Sequence, residues 1–203
     1  MSVEMEKKSV QERFEHLLSL ISSKHFLTKQ GLGNEVPFFI CPYRPEEAGE
    51  MGKMQKQLMN RLEQSGVRVL EVNLYDLAIQ LLKDRGIWDR ILEMEPAVSK
   101  HQLKELLQGV LDSEAHLIPA MAQKMPQAHF DVMFITGVGE VFPYIRSHNV
   151  LNNLQSTAKE HPTVLFFPGA YTHSLLEGAS LDLFGRLHDD KYYRAFNIFH
   201  CEI

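Results

Sequence analysis

Apolar residues recur at helical spacing through the first two-thirds of the chain and gather into short continuous runs in the last third. Val10, Phe14, Leu17, Leu18 and Ile21 form one helical stripe, and Ser9 with Glu12 reads as a capping box that opens it. Residues 36–43 (VPFFICPY), bounded by Gly33 and Pro45, are rich in aromatic and β-branched side chains and predict a first buried strand. Residues 45–66 begin with Pro and two acids and end at Gly66, which is how helices start and stop. A second strand is predicted over 67–73 (VRVLEVN). Asn73 then caps a helix through Leu82, with Asp76 in its first turn and Gly86 at its end. A shorter helix is expected from Ile87 to Glu95. Ser99 and Gln102 make another capping box, ahead of Leu103, Leu106, Leu107, Val110 and Leu111 on one face. Pro119 or Pro126 should end or kink its continuation.

The last third changes character. Residues 130–137 (FDVMFITG) and 163–169 (TVLFFPG) are unbroken apolar runs ending in Gly or Pro-Gly, as expected of strands covered on both faces. A short helix is expected between them, from about Tyr144 to Gln155, and RAFNIF (194–199) reads as a final strand. Strands separated by helices predict an α/β fold of three layers, a mostly parallel sheet flanked by helices, either Rossmann-like or degenerate P-loop-like. With no repeat, low-complexity tract or long linker, residues 1–203 read as one domain, helix-rich over 1–128 and strand-rich over 130–203.

Composition narrows the function classes. A hydrophobic content of 44% is ample for a core, and 23% charged residues is ordinary for a soluble chain. The net charge of -5 argues against a general nucleic-acid binder, so no strong autonomous DNA binding is expected. Residues 1–16 are polar and lack the apolar run of a secretory signal, and no stretch approaches the roughly 20 apolar residues of a membrane span. The expected compartment is the cytoplasm, with Cys41 and Cys201 reduced and no membrane contact.

The fold class invites a nucleotide, whose binding needs recognisable parts. A phosphate-binding loop needs glycines that let backbone N–H groups approach the phosphates, followed by Lys and Ser/Thr. After the first predicted strand stands CPYRPEEAGEMGK, whose acids would repel phosphate, and no phosphate-binding loop is present. Thr136 and Gly137 stand where a magnesium-organising acid would follow the 130–135 strand. Gly137 and Gly139 resemble half of a dinucleotide fingerprint, but Pro143 and Tyr144 occupy the place of a third glycine, so a tight strand-to-helix turn is expected instead. The ten histidines include no H-E-x-x-H or H-x-H and the cysteines no C-x-x-C, so no metal is expected.

For acid/base chemistry the best candidates are His188, Asp189 and Asp190, with Glu140 and His148; adjacent acids of this kind are expected merely to flank a solvated turn. G-x-S-x-G is absent, and neither Cys41 nor Ser174 has a neighbourhood that would activate it. No catalytic residue, cofactor or metal site is predicted, and the chain is expected not to be an enzyme. The segment 144–155 (YIRSHNVLNNLQ) interrupts its apolar residues with Arg146, His148, Asn149, Asn152 and Asn153. Asn is poor inside helices, so these side chains either bond a neighbouring loop or partner, or belong to a helix start capped by Ser147.

Three segments in this order, 136–155 (TGVGEVFPYIRSHNVLNNLQ), 162–169 (PTVLFFPG) and 183–198 (LFGRLHDDKYYRAFNI), strongly resemble the BrxB family. The resemblance runs the length of the chain and is sharpest from about residue 130. It implies a component of a BREX phage-exclusion system, in which a DNA methyltransferase, an ATPase, a phosphatase-like PglZ protein and small accessory proteins act together. It implies no catalytic residue. The expected role is a non-enzymatic adaptor whose partners are other BREX subunits, the PglZ-like protein foremost. Arg146, Tyr192, Tyr193 and Arg194 are its candidate interface anchors, being residue types enriched at hot spots. Two alternatives stand beside it: a degenerate domain that binds nucleotide without hydrolysis, and a subunit that touches nucleic acid only within the assembly.

Overall fold

In the computed structural model, residues 5–28, 37–125, 128–154, 157–174, 178–190 and 195–201 are described, with the backbone alone for 173–174, 178–179 and 187–190. The chain opens with α1 (Val10–Ser22), where Ser9 and Glu12 close the expected capping box, and a single turn α2 (Lys24–Leu27) follows. Strand β1 (Phe38–Tyr43) leads through a 3₁₀ turn (Pro45–Glu47) into α3 (Ala48–Gln64). Then come β2 (Val69–Asn73), α4 (Leu74–Asp84), α5 (Trp88–Met94) and α6 (Lys100–Val110). Asn73 caps α4 by accepting from the N–H groups of Tyr75 (2.9 Å) and Asp76 (3.2 Å), and Ser99 with Gln102 boxes the start of α6.

Five strands lie in the order β2-β3-β4-β1-β7, with β3 over Val132–Thr136, β4 over Thr163–Ser174 and β7 over Phe196–Asn197. All neighbours along that path are parallel. Side chains on these strands alternate between two cores because successive Cβ atoms point to opposite faces. Phe38, Ile40, Met133, Ile135, Leu165 and Phe167 pack against the helices from α4 onward. Phe39, Cys41, Val132, Phe134, Val164 and Phe166 pack against α1, α2 and α3. The three-layer α/β arrangement expected from the sequence is the one adopted.

The structure departs from the sequence-based expectation at Pro119, at the end of β4 and in the final strand, where β7 covers Phe196–Asn197 alone and a 3₁₀ turn (Ile198–His200) follows in place of a strand to residue 199. Pro119 starts a helix instead of ending one: α6 stops at Val110, Asp112 caps a π turn (Ser113–Leu117), and α7 (Ile118–Lys124) holds Pro119 in its first turn, where a missing N–H is harmless. Pro126 lies outside the described residues. Strand β4 does not end at Pro168–Gly169 but runs on to Ser174 as an arm. There it pairs antiparallel with β5 (Gly178–Leu183), which pairs with β6 (Leu187–Asp190). Consequently His188, Asp189 and Asp190 form a strand and not a solvated turn. Gly169 permits the close approach: a Cβ there would stand 2.0 Å from the Asp182 carbonyl oxygen. The buried Tyr171 hydroxyl donates to the carbonyl of Ala195 at 2.6 Å, tying the arm to the approach of β7.

Candidate functional site

Helix α3, which follows β1, covers one face of the sheet, whereas α4, which follows β2, and α8 (Val138–Val141), which follows β3, cover the other. Loops diverging in this way open a crevice at the carboxyl ends of the strands, where α/β folds place their ligands. The crevice here is a cleft of about 520 Å³. Its cations are Lys53 and Lys56 from α3, its carboxylates are Glu71 of β2 and Glu140 of α8, and Tyr43, Thr136 and Phe184 complete the polar and aromatic walls.

Several contacts fix this geometry. The Thr136 hydroxyl donates to Oε1 of Glu71 at 2.9 Å, bridging the ends of β3 and β2. Gly137 has φ +73, and a Cβ on it would lie 2.5 Å from Oδ1 of Asn73, the oxygen that caps α4. Only glycine satisfies both the left-handed backbone and that approach, so Gly137 makes the tight strand-to-helix turn, while Gly139 lies within α8, where a Cβ would stand 3.1 Å from Cγ of Pro168. Burial pushes the Tyr43 hydroxyl up to about 12, which keeps it a neutral hydrogen-bonding group.

The turn after β1 is held by charge. Arg13 of α1, only 1% exposed, donates from Nη2 to Oε2 of Glu47 at 2.7 Å. Arg44 donates from Nε to the other oxygen, Oε1, at 3.0 Å. Partial burial pushes the Glu47 carboxyl up, but hydrogen bonds from Arg44 and Arg13, with their charges, outweigh it and hold the group below the usual carboxylate range. Glu47 therefore fills with its own negative charge the stretch between β1 and α3, where a phosphate cradle would have to form. Sequence reasoning counted the acids of this stretch but missed Arg13, whose place in an otherwise apolar helical face was the available signal.

A second cavity of about 260 Å³ lies between α4, α5 and α6 and reaches Val141 and Tyr144. Ala78, Leu82, Trp88, Leu92 and Leu107 are among its apolar wall residues, and Glu140 borders both cavities.

Arg146 is exposed just ahead of α9 (Ser147–Leu154), while Tyr192, Tyr193 and Arg194 lie outside the described residues. His148 is buried within α9 and does not line the cleft, which Glu140 does. Asn153 donates to the carbonyl of Asn149 at 2.8 Å, a bond within its own helix. Cys41 is wholly buried, and burial pushes its thiol up, as it does that of Cys201, to about 11. Neither is an activated nucleophile. Among the described residues no group of three His, Cys, Asp or Glu side chains is placed to hold a metal ion, and no helix is long and apolar enough to cross a membrane.

The family model described as BREX protein BrxB matches residues 70–198, which include the ends of β2 and β3, the whole arm and β7. The chain belongs to the BrxB family. It is 33% identical over 194 residues to the BREX protein BrxB of Bacillus cereus (strain H3081.97), covering 94% of this chain and 98% of that one. To the BREX protein BrxB of Escherichia coli O9:H4 (strain HS) it is 28% identical over 186 residues, covering 92% of this chain and 90% of the other. No solved structure matches. The family match begins within β2, so it spans Glu71, Asn73, Thr136 and Glu140 but not Arg13, Arg44 and Glu47. The full-length likeness to the two relatives extends across the turn after β1 as well. A BrxB chain is a component of a BREX system, which sets the context for both cavities.

Proposed function

We propose that this chain is a non-enzymatic adaptor of a BREX assembly, working in the cytoplasm and holding larger subunits together, the PglZ-like subunit among them. The observation that carries this reading is the ion-paired turn after β1. Phosphoryl transfer depends on positioned cations around the transferred group. Here the two arginines at the end of β1, Arg13 and Arg44, are committed to Glu47. Membership of a multi-subunit system supplies the rest of the support.

The test is co-expression of the tagged chain with the other BREX subunits, followed by affinity purification and mass spectrometry. The PglZ-like subunit should be retained in fixed proportion, and the purified chain should not turn over ATP. A chain that travels alone through purification, or a turnover abolished by Lys53→Ala or Glu71→Gln, would defeat the adaptor reading.

The 520 Å³ cleft favours a second reading, a nucleotide held without hydrolysis. Its volume is that of a small-molecule site, and Lys53 and Lys56 could meet phosphates. Calorimetric titration with ATP separates the two. Binding lost in Lys53→Ala, without turnover in either protein, supports the second reading, and no heat supports the first.

A further inference from the structure

We infer that the groove between α4, α5 and α6 seats an amphipathic helix with a basic flank, contributed by another subunit of the assembly. This inference rests on the adaptor reading and names the surface that reading needs. The groove is built from the helices themselves: Ala78 and Leu82 on α4, Ile91 and Leu92 on α5, Leu107 on α6, with Val141 at its floor. Tyr75 and Leu92, each 45% exposed, are the large apolar side chains left open to solvent among the described residues, and both stand in its wall. Two exposed apolar side chains sharing one concave site mark an interaction surface more strongly than either would alone.

Size and charge select the occupant. A cavity of about 260 Å³ lies below the roughly 300–1,000 Å³ usual for small-molecule sites. It suits a few inserted side chains, which is how a helix laid in a groove anchors itself at i, i+3, i+4 and i+7. The charged residues among those lining the wall are Glu95 and Glu140, both carboxylates. Lys83 stands at the rim, its ammonium 5.8 Å from the ring centre of the wall residue Trp88, and Arg85 donates to the carbonyl of Val110. An apolar stripe flanked by Lys or Arg would complement this wall, and the chain's net charge of -5 would steer it inward.

The experiment uses the full chain co-expressed with the other BREX subunits. Leu92→Asp should weaken retention of the partner about thirtyfold, the scale of an interface hot spot. Tyr75→Ser should weaken it less. Glu95→Lys should weaken it and reduce its sensitivity to salt. Both Leu92 and Tyr75 are half-exposed, so circular dichroism and melting temperature should stay near the parent values. A photoreactive amino acid at position 92 should cross-link to a partner segment with apolar residues at helical spacing and Lys or Arg beside them. If the parent protein retains a subunit and all three folded variants retain it equally well, the groove is not the seat, while the adaptor reading survives. If the parent retains no subunit, the adaptor reading itself fails. Cross-links to an extended or acidic segment overturn the helix, as does a concentration-dependent dimer of the isolated chain that Leu92→Asp dissolves, which would make the occupant a second copy.

Discussion

Arg13 and Glu47, thirty-four residues apart in the chain, meet at 2.7 Å and join α1 to the turn that follows β1. Arg13 is almost wholly buried, so its charge is sustained by that contact. Removing one partner of a buried pair leaves an uncompensated charge and typically destabilises by about 3–5 kcal/mol. Arg13→Ala should therefore lower the denaturant midpoint sharply. Arg44→Ala, at a mostly exposed position, should lower it only slightly. Equal effects of the two in urea titrations would show that Arg13 is not the anchor of the turn.

The same carboxylate sets a pH dependence. The folded-state value of Glu47 lies below its ordinary value, so the unfolded chain binds its proton more readily. Its stabilising contribution is complete above the unfolded value of about 4.3 and is lost as pH falls through the lowered folded value. Glu47→Gln should flatten the loss of melting temperature below about pH 4.3, relative to the parent, while being less stable near neutrality. A parallel decline of the two proteins on acidification would remove Glu47 as the cause.

Gly169 sets the entry to the antiparallel arm. Gly169→Ala would drive a Cβ against the Asp182 carbonyl oxygen, backbone that cannot rotate away. Opening of the β4–β5 pairing should follow, read as faster amide exchange at the Gly169–Leu183 end of the register than in the parent. Gly185, which has φ +65 and open space around an added Cβ, is the control: Gly185→Ala should incur only the left-handed strain of about 1–2 kcal/mol. Unchanged exchange in Gly169→Ala would mean that the arm can shift to accept the methyl.

Tyr171 offers a smaller, cleaner test of the arm's tether. Tyr171→Phe removes the donor to the buried Ala195 carbonyl and should reduce stability by about 1–3 kcal/mol, since that acceptor loses the tyrosine hydroxyl without gaining water. Stability equal to the parent in thermal unfolding would mean that solvent reaches the carbonyl.

Buried thiols give the last prediction. Cys41 is fully buried and its thiol is pushed up by desolvation, so at pH 8 it should resist an aromatic disulfide reagent until the chain unfolds. The modification rate should follow the unfolding equilibrium as urea is added. Rapid native-state reaction, localised to Cys41 by mass spectrometry, would contradict the packing between Phe39 and the α1 and α3 side chains.

The pattern of residues by itself determined the local elements and the class of fold. Capping boxes at Ser9 and Ser99, the Asn73 cap and the apolar runs of β1, β3 and β4 are written within a few residues of one another, where local sterics and hydrogen bonding decide. The segments resembling BrxB gave the family in the same way, as contiguous text. What only the tertiary structure decided is non-local. The strand order places β4 beside β1 although seven helices and two strands of sequence intervene, and the arm continues past Pro168–Gly169 because Asp182 comes back to pair with Ala170. The joining of Arg13 to Glu47, and the groove left open between α4, α5 and α6, likewise depend on faces meeting across the fold. Sequence periodicity states which side of an element is apolar; it does not state which neighbour will cover it.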